Sequence, residues 1–100
     1  MHEVHIRPQW TIRQTDGAAL APRVIELLVQ VLEHGSLSSA CTASGVSYRH
    51  AWELIRQGEA MFGQPLVAMR RGKGSSLTPL GEKLVWADRR ITARLSPLLD

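Results

Sequence analysis

The stretch Ser47–Phe62, SYRHAWELIRQGEAMF, limits the possible folds more than any other part of this sequence of 100 residues. Small or apolar residues at Ala51, Leu54, Ile55, Gly58, Met61 and Phe62 recur at i, i+3, i+4, i+7 spacing, which predicts a helix with one buried stripe. Its other side carries Tyr48, Arg49, His50, Glu53, Arg56 and Gln57, a set able to reach base edges and phosphates. Ser47 suits the N-cap, and the break Gly45-Val46 separates this helix from a small one upstream. Helix, short Gly-containing turn and a second helix with a polar outer face make the helix-turn-helix arrangement of DNA-binding proteins.

The flanking sequence extends this core. Pro22 suits the first turn of an earlier helix whose apolar stripe is Val24, Leu27, Leu28 and Val31, with Glu26, Gln30 and Glu33 outward, and His34-Gly35 ends it. Ser36 then caps a short helix through about Ser44. Leu37, Ala40 and Cys41 are its expected core contacts, and its small residues Ser39, Ala40 and Ala43 are expected to allow close helix approach. Beyond Phe62, Gly63-Gln64-Pro65 is a breaker, Leu66–Met69 reads as a strand, Arg70–Ser75 as a basic tip and Ser76-Leu77 as the return strand. This hairpin is the expected wing of a winged helix. A charged loop serving only solubility is the blander reading of the tip; two basic elements converging from one fold argue against it.

At the N-terminus, Val4, Ile6, Pro8, Trp10 and Ile12 alternate with polar residues, the period of a half-buried strand, and Pro8 restricts that strand to a sheet edge or breaks it. Asp16-Gly17 marks a turn, and Ala18–Leu20 is a short return strand. At the other end Thr78-Pro79 starts a last helix through about Ser96. Its residues Leu80, Leu84, Ala87, Ile91, Arg94 and Leu98 fall at alternating steps of four and three, and Leu95 widens the seam. Some 18 residues extend about 27 Å, more than so small a core needs, so the seam predicts dimerisation through Leu80, Leu84, Ala87, Ile91, Leu95 and Leu98. Packing on its own core is the alternative. The fold class is therefore mainly α with a small β component: an N-terminal strand or hairpin over 1–20, helix-turn-helix and wing over 21–77, and a long linker helix over 78–100.

Composition narrows the function. With 44% apolar residues the chain can build one core. No run approaches the ~18 apolar residues of a membrane span, and the start MHEVHIRPQW lacks the apolar segment of a signal peptide, so a cytoplasmic protein without a membrane partner is expected. Cys41 is the lone cysteine, which excludes an internal disulfide and leaves burial as its expected role; His2 and His5 are too few for a metal site. Between Ser47 and Ser76 stand five basic residues, Arg49, Arg56, Arg70, Arg71 and Lys73, against Glu53 and Glu59. This surplus of three equals the net charge of the whole chain, +3. The charge is thus concentrated on the helix and hairpin expected to meet nucleic acid.

The segments HGSLSSACTASGVSYRHAWELI, FGQPLV, RRGKGSS and LTPLGEKL resemble the N-terminal winged helix of the LysR-type and molybdate-responsive (ModE-type) bacterial regulators. The start Ser47-Tyr48-Arg49 with Ala51-Trp52, and a strand ahead of the first helix, are closer to the ModE type, whereas LTPLGE is shared with the LysR type. The likeness runs from about Val4 to Leu99. It implies a recognition helix in the major groove, dimerisation through the last helix onto a near-palindromic operator, and a downstream effector domain of periplasmic-binding-protein or molybdate-binding type. The residues up to Asp100 contain no such domain, so the effector is unidentified and no cofactor is expected here.

Sequence-specific binding of double-stranded DNA by a transcriptional regulator is the leading reading. Arg49 is the best placed donor to guanine or phosphate, Tyr48 suits a thymine methyl or a phosphate, and His50, Glu53 and Arg56 line the same face. Ser36, Ser38, Ser47, Arg70, Arg71 and Lys73 complete the expected DNA surface. Trp52 flanks the stripe and is assigned to packing ahead of base contact. A winged helix used for protein contact is the alternative. An enzyme is disfavoured, because no Ser/His/Asp grouping, paired carboxylates or phosphate-cradling Gly motif is evident.

Overall fold

The computed structural model describes residues 9–72 and 74–99. His2, His5, the first half of the strand expected from Val4, Lys73 and the side chain of Arg70 lie outside the described residues. Among the described residues, four helices and one hairpin follow in the order α1 (Pro22–His34), α2 (Leu37–Ser44), α3 (Tyr48–Phe62), β1 (Val67–Arg70), β2 (Gly74–Leu77) and α4 (Pro79–Leu99). Mainly helical with one antiparallel hairpin, this is a winged helix-turn-helix.

α1 is the hub, meeting α2, α3, β2 and α4. Its burial is accordingly wider than one stripe: Ile25 and Val29 are buried beside Val24, Leu27, Leu28 and Val31. Pro22 stands at its start and Gly35 closes it in the left-handed conformation, its N–H donating to the Val31 carbonyl. In α2 the expected contacts Leu37, Ala40 and Cys41 are buried, and the Ser36 hydroxyl caps the helix by accepting from the Ser39 N–H at 3.1 Å. Ser39 and Ala43, by contrast, are exposed, so Ala40 alone of the three small residues lies at the helix contact. Between α2 and α3, Gly45 at φ 68° makes the reversal that a side-chain-bearing residue would resist.

α3 keeps the expected phase. Ser47 caps it through the His50 N–H, Ala51, Leu54, Ile55 and Gly58 are buried, and Met61 and Phe62 pack partly buried against the core. Gly58 is a contact point, since a Cβ there would stand 3.0 Å from a Leu66 methyl and 3.1 Å from one of Leu20. The wing is tied to both neighbouring helices at Leu66: its N–H donates to Glu59 Oε2 of α3 at 2.8 Å, and its carbonyl accepts from the Thr78 N–H at 3.0 Å. A Cβ at Gly81 would collide with that same carbonyl, so α4 sits on the wing base only because residue 81 has none. β1 and β2 pair with Val67 opposite Leu77 and Arg70 opposite Gly74. Gly74 and Ser75, expected in the tip, therefore belong to the return strand.

Two expectations for the ends need correction. Among the described residues, Gln9–Leu20 contains no ladder, only an isolated antiparallel bridge between Arg13 and Ala19 around the Asp16-Gly17 turn. The Thr11 hydroxyl donates to the Leu20 carbonyl, and side chains fasten the segment: Gln9 to Glu26, Trp10 to Asp88 and Gln14 to the Met61 carbonyl. The last helix runs past Ser96 to Leu99 with Pro97 inside it. Pro97 forfeits a single i→i−4 bond in the last turn, whose residue four back, Ala93, is exposed.

Candidate nucleic-acid interface

Burying one stripe of α3 turns the opposite side of the helix outward, and Ser47, Tyr48, Arg49, His50, Glu53, Arg56 and Gln57 are all exposed. Arg49 is the most open of the charged pair it forms, its side chain 92% accessible, with Nε 3.7 Å from Glu53 Oε1. His50 Nδ1 lies 3.5 Å from the other Glu53 oxygen. Such exposed pairs contribute little to stability. Glu53 thus stands beside both side chains without committing either.

A second row runs beside this one. Tyr48, Trp52 and Arg56 follow at steps of four: the Tyr48 and Trp52 rings meet edge to face with centroids 6.3 Å apart, and the Arg56 guanidinium lies 5.4 Å above the Trp52 ring. Trp52 packs partly buried against the core, as expected, but it also carries an exposed neighbour on each side. Sequence reasoning placed Arg56 with Arg49 and left Trp52 to packing. The four-residue spacing was the signal that joins Tyr48, Trp52 and Arg56.

Ser36 is half-buried and Ser38 exposed at the start of α2. The Ser36 hydroxyl also bonds Ser39 Oγ at 2.9 Å, and its Cβ lies 3.9 Å from the position a Cβ on Gly74 would take. The α2 N-terminus therefore adjoins the wing. Arg71 is exposed at the wing turn, and Met69 projects from β1 with 70% of its surface accessible, its sulfur accepting from the Ser75 hydroxyl. Cys41 takes no part: burial raises its thiol pKa and keeps it protonated. Among the described residues no group of three or more His, Cys, Asp and Glu could hold a metal, and no helix is long and apolar enough to cross a membrane.

The seam on α4 divides. Leu84 is buried in the core and Leu80 packs against it, so these two serve the domain's own interior, together with Val85, which the heptad pattern had not marked. Ala87, Ile91 and Leu95 are half-buried and Leu98 is 80% exposed. Trp86, outside the expected seam, is 52% exposed with the Arg89 guanidinium 5.0 Å from its ring centre.

Residues 22–82, from α1 to the first turn of α4, match the family model for bacterial regulatory helix-turn-helix proteins of the LysR family. The chain belongs to the LysR family. This LysR-family unit is the DNA-binding domain of a transcriptional regulator. It is also 32% identical over 93 residues to the molybdenum-pterin-binding protein MopB of Rhodobacter capsulatus, covering 89% of this chain and 34% of that protein. With the transcriptional regulator ModE of Yersinia pestis it shares 35% identity over 68 residues, 64% of this chain and 26% of ModE. The chain thus spans between about a quarter and a third of these relatives. Among solved structures, the LysR-family fold is similar to the DNA-binding domain of BenM in its complex with benA site 1 DNA, with a TM-score of 0.62 at 18% identity, covering 77% of this chain and 88% of that one.

Proposed function

We propose that this domain recognises a specific double-stranded DNA sequence by setting the first turns of α3 into the major groove, with the β1–β2 wing on the backbone or in the minor groove. The observation that carries the reading is the exposed face of α3, where an accessible Arg49 and His50 stand in the first turn beside one carboxylate. A major groove about 12 Å wide admits such a helix. In this reading Arg49 meets a guanine, Tyr48 a thymine methyl or a phosphate, and Ser36, Ser38, Ser47 and the basic residues of the wing hold the backbone. The domain works as a homodimer through Ala87, Ile91, Leu95 and Leu98 of α4, which presents two copies of α3 to a near-palindromic operator.

The test is selection of bound duplexes from a randomised library, followed by titration of the selected and a scrambled duplex across a salt series. Counterion release predicts a steep loss of affinity with salt on both duplexes and tighter binding to the selected one. Enrichment of no sequence, together with salt-insensitive binding, would assign the exposed face to a protein partner instead.

A further inference from the structure

We infer that Trp52 is a positioning residue for DNA recognition, holding Arg56 in one direction so that its guanidinium acts with the first turn of α3 as a reader of the site. The inference rests on the DNA-binding reading above and assigns Arg56 a role distinct from a phosphate contact. Residue 56 lies more than two turns into the helix, away from the end that enters a groove most deeply. Side chains on a helix lean toward its N-terminus, and Arg56 does so over the residue one turn back, 5.4 Å from the Trp52 ring centre. Trp52 is itself held, by core packing on one side and by the edge-to-face Tyr48 ring on the other. The exposed guanidinium therefore lies over a ring whose own movement is restrained on two sides.

An unsupported arginine loses much of its rotamer freedom when it makes a contact, and a stacked one has lost part of it beforehand. A tryptophan face is also the strongest aromatic partner for a cation, and the planar guanidinium stacks where an ammonium does not. Arg49 contrasts with this, since its partner is an exposed carboxylate 3.7 Å away. The two arginines of α3 thus stand against different partners, Arg49 beside an exposed carboxylate and Arg56 over an aromatic face.

The experiment is a double-mutant cycle on the duplex selected by the parent and on a scrambled one, with thermal unfolding of each variant as the fold control. With Arg56 present, Trp52→Leu should weaken binding to the selected duplex by about two- to fivefold, the range expected of an exposed cation–π contact, and Trp52→Phe should retain most of the affinity. In an Arg56→Ala background the same two substitutions should change nothing. Arg56→Lys leaves the core untouched and keeps the charge, so it reports whether or not Trp52→Leu folds. It should narrow the preference for the selected over the scrambled duplex while leaving the salt slope as in the parent. Equal effects of Trp52→Leu with and without Arg56, or full preference in Arg56→Lys, would overturn the inference while the DNA-binding reading stands. Failure of the parent to prefer any duplex would overturn both.

Discussion

The recognition helix α3 and the terminal helix α4 are both amphipathic, yet they dispose of their apolar residues in opposite ways. In α3 the stripe Ala51, Leu54, Ile55 and Gly58 is buried by the rest of the domain, and the first three turns show mainly polar and charged side chains outside, with the aromatic pair Tyr48 and Trp52 among them. In α4 the first turns bury Leu84 and Val85, whereas the later ones leave Ile91 and Leu95 half-covered and Leu98 in solvent. The cause is reach. α1 lies against both helices, but its 13 residues cannot cover a helix of 21. A helix whose apolar side is covered offers chemistry to a ligand of another kind, while one whose apolar side outlasts its own domain offers a surface for another chain.

The largest expected effect tests whether the two stripes are covered alike near the core. Leu54→Ala and Leu84→Ala should each destabilise the domain by roughly 2–5 kcal/mol in denaturant unfolding, because each removes a buried side chain from one cluster. Leu98→Ala should leave stability within about 0.5 kcal/mol of the parent. A similar loss from Leu98→Ala would mean that the end of α4 is covered within the monomer, and the contrast between the helices would disappear.

Next in size is the exposed half of α4. If a second copy covers it, Ile91→Glu loses the remaining burial of a half-covered side chain on each protomer, about 1.5–3 kcal/mol for the pair, and sedimentation should show a shift from dimer to monomer with the helical signal unchanged. A parent that sediments as a monomer at tens of micromolar would remove the second copy as the occupant of that face.

The exposed face of α3 is sharpened by Arg49→Ala, which should cost about 1 to 3 kcal/mol on the selected duplex and less on a scrambled one, flattening the preference at one base pair per half-site. A uniform loss on both duplexes would reassign Arg49 to a phosphate. The smallest effect belongs to the wing: Arg71→Ala should weaken binding to all duplexes alike and lower the salt slope by about one per monomer. A base-specific loss from Arg71→Ala would reverse the division between reading by the helix and holding by the wing.

Much of this was legible in the residues themselves. The four helices and the wing follow from periodicity and punctuation, which are local, and the three hydroxyl caps Ser36, Ser47 and Thr78 each accept from the amide three residues on. The exposed set on α3 was legible for the same reason, because a buried stripe determines its complement. Ahead of α1 the turn at Asp16-Gly17 and the return through Ala19 were legible, but the regular strand expected over the described residues is not there: alternation measures half-burial, and side-chain bonds from Gln9, Trp10 and Gln14 hold those residues with a single bridge in place of a ladder.

By itself, then, the sequence determined where each helix starts, where the first three stop, which side of α3 is polar and where the positive charge gathers, since each depends on residues within a few positions of one another. Only the tertiary structure decided that α1 is buried on more than one side, that Leu84 serves the core and Leu98 does not, that Gly81 must lack a side chain against the Leu66 carbonyl, and that Trp10 reaches Asp88. Those facts depend on which distant surfaces meet, and a periodic pattern marks a face as apolar without naming what covers it.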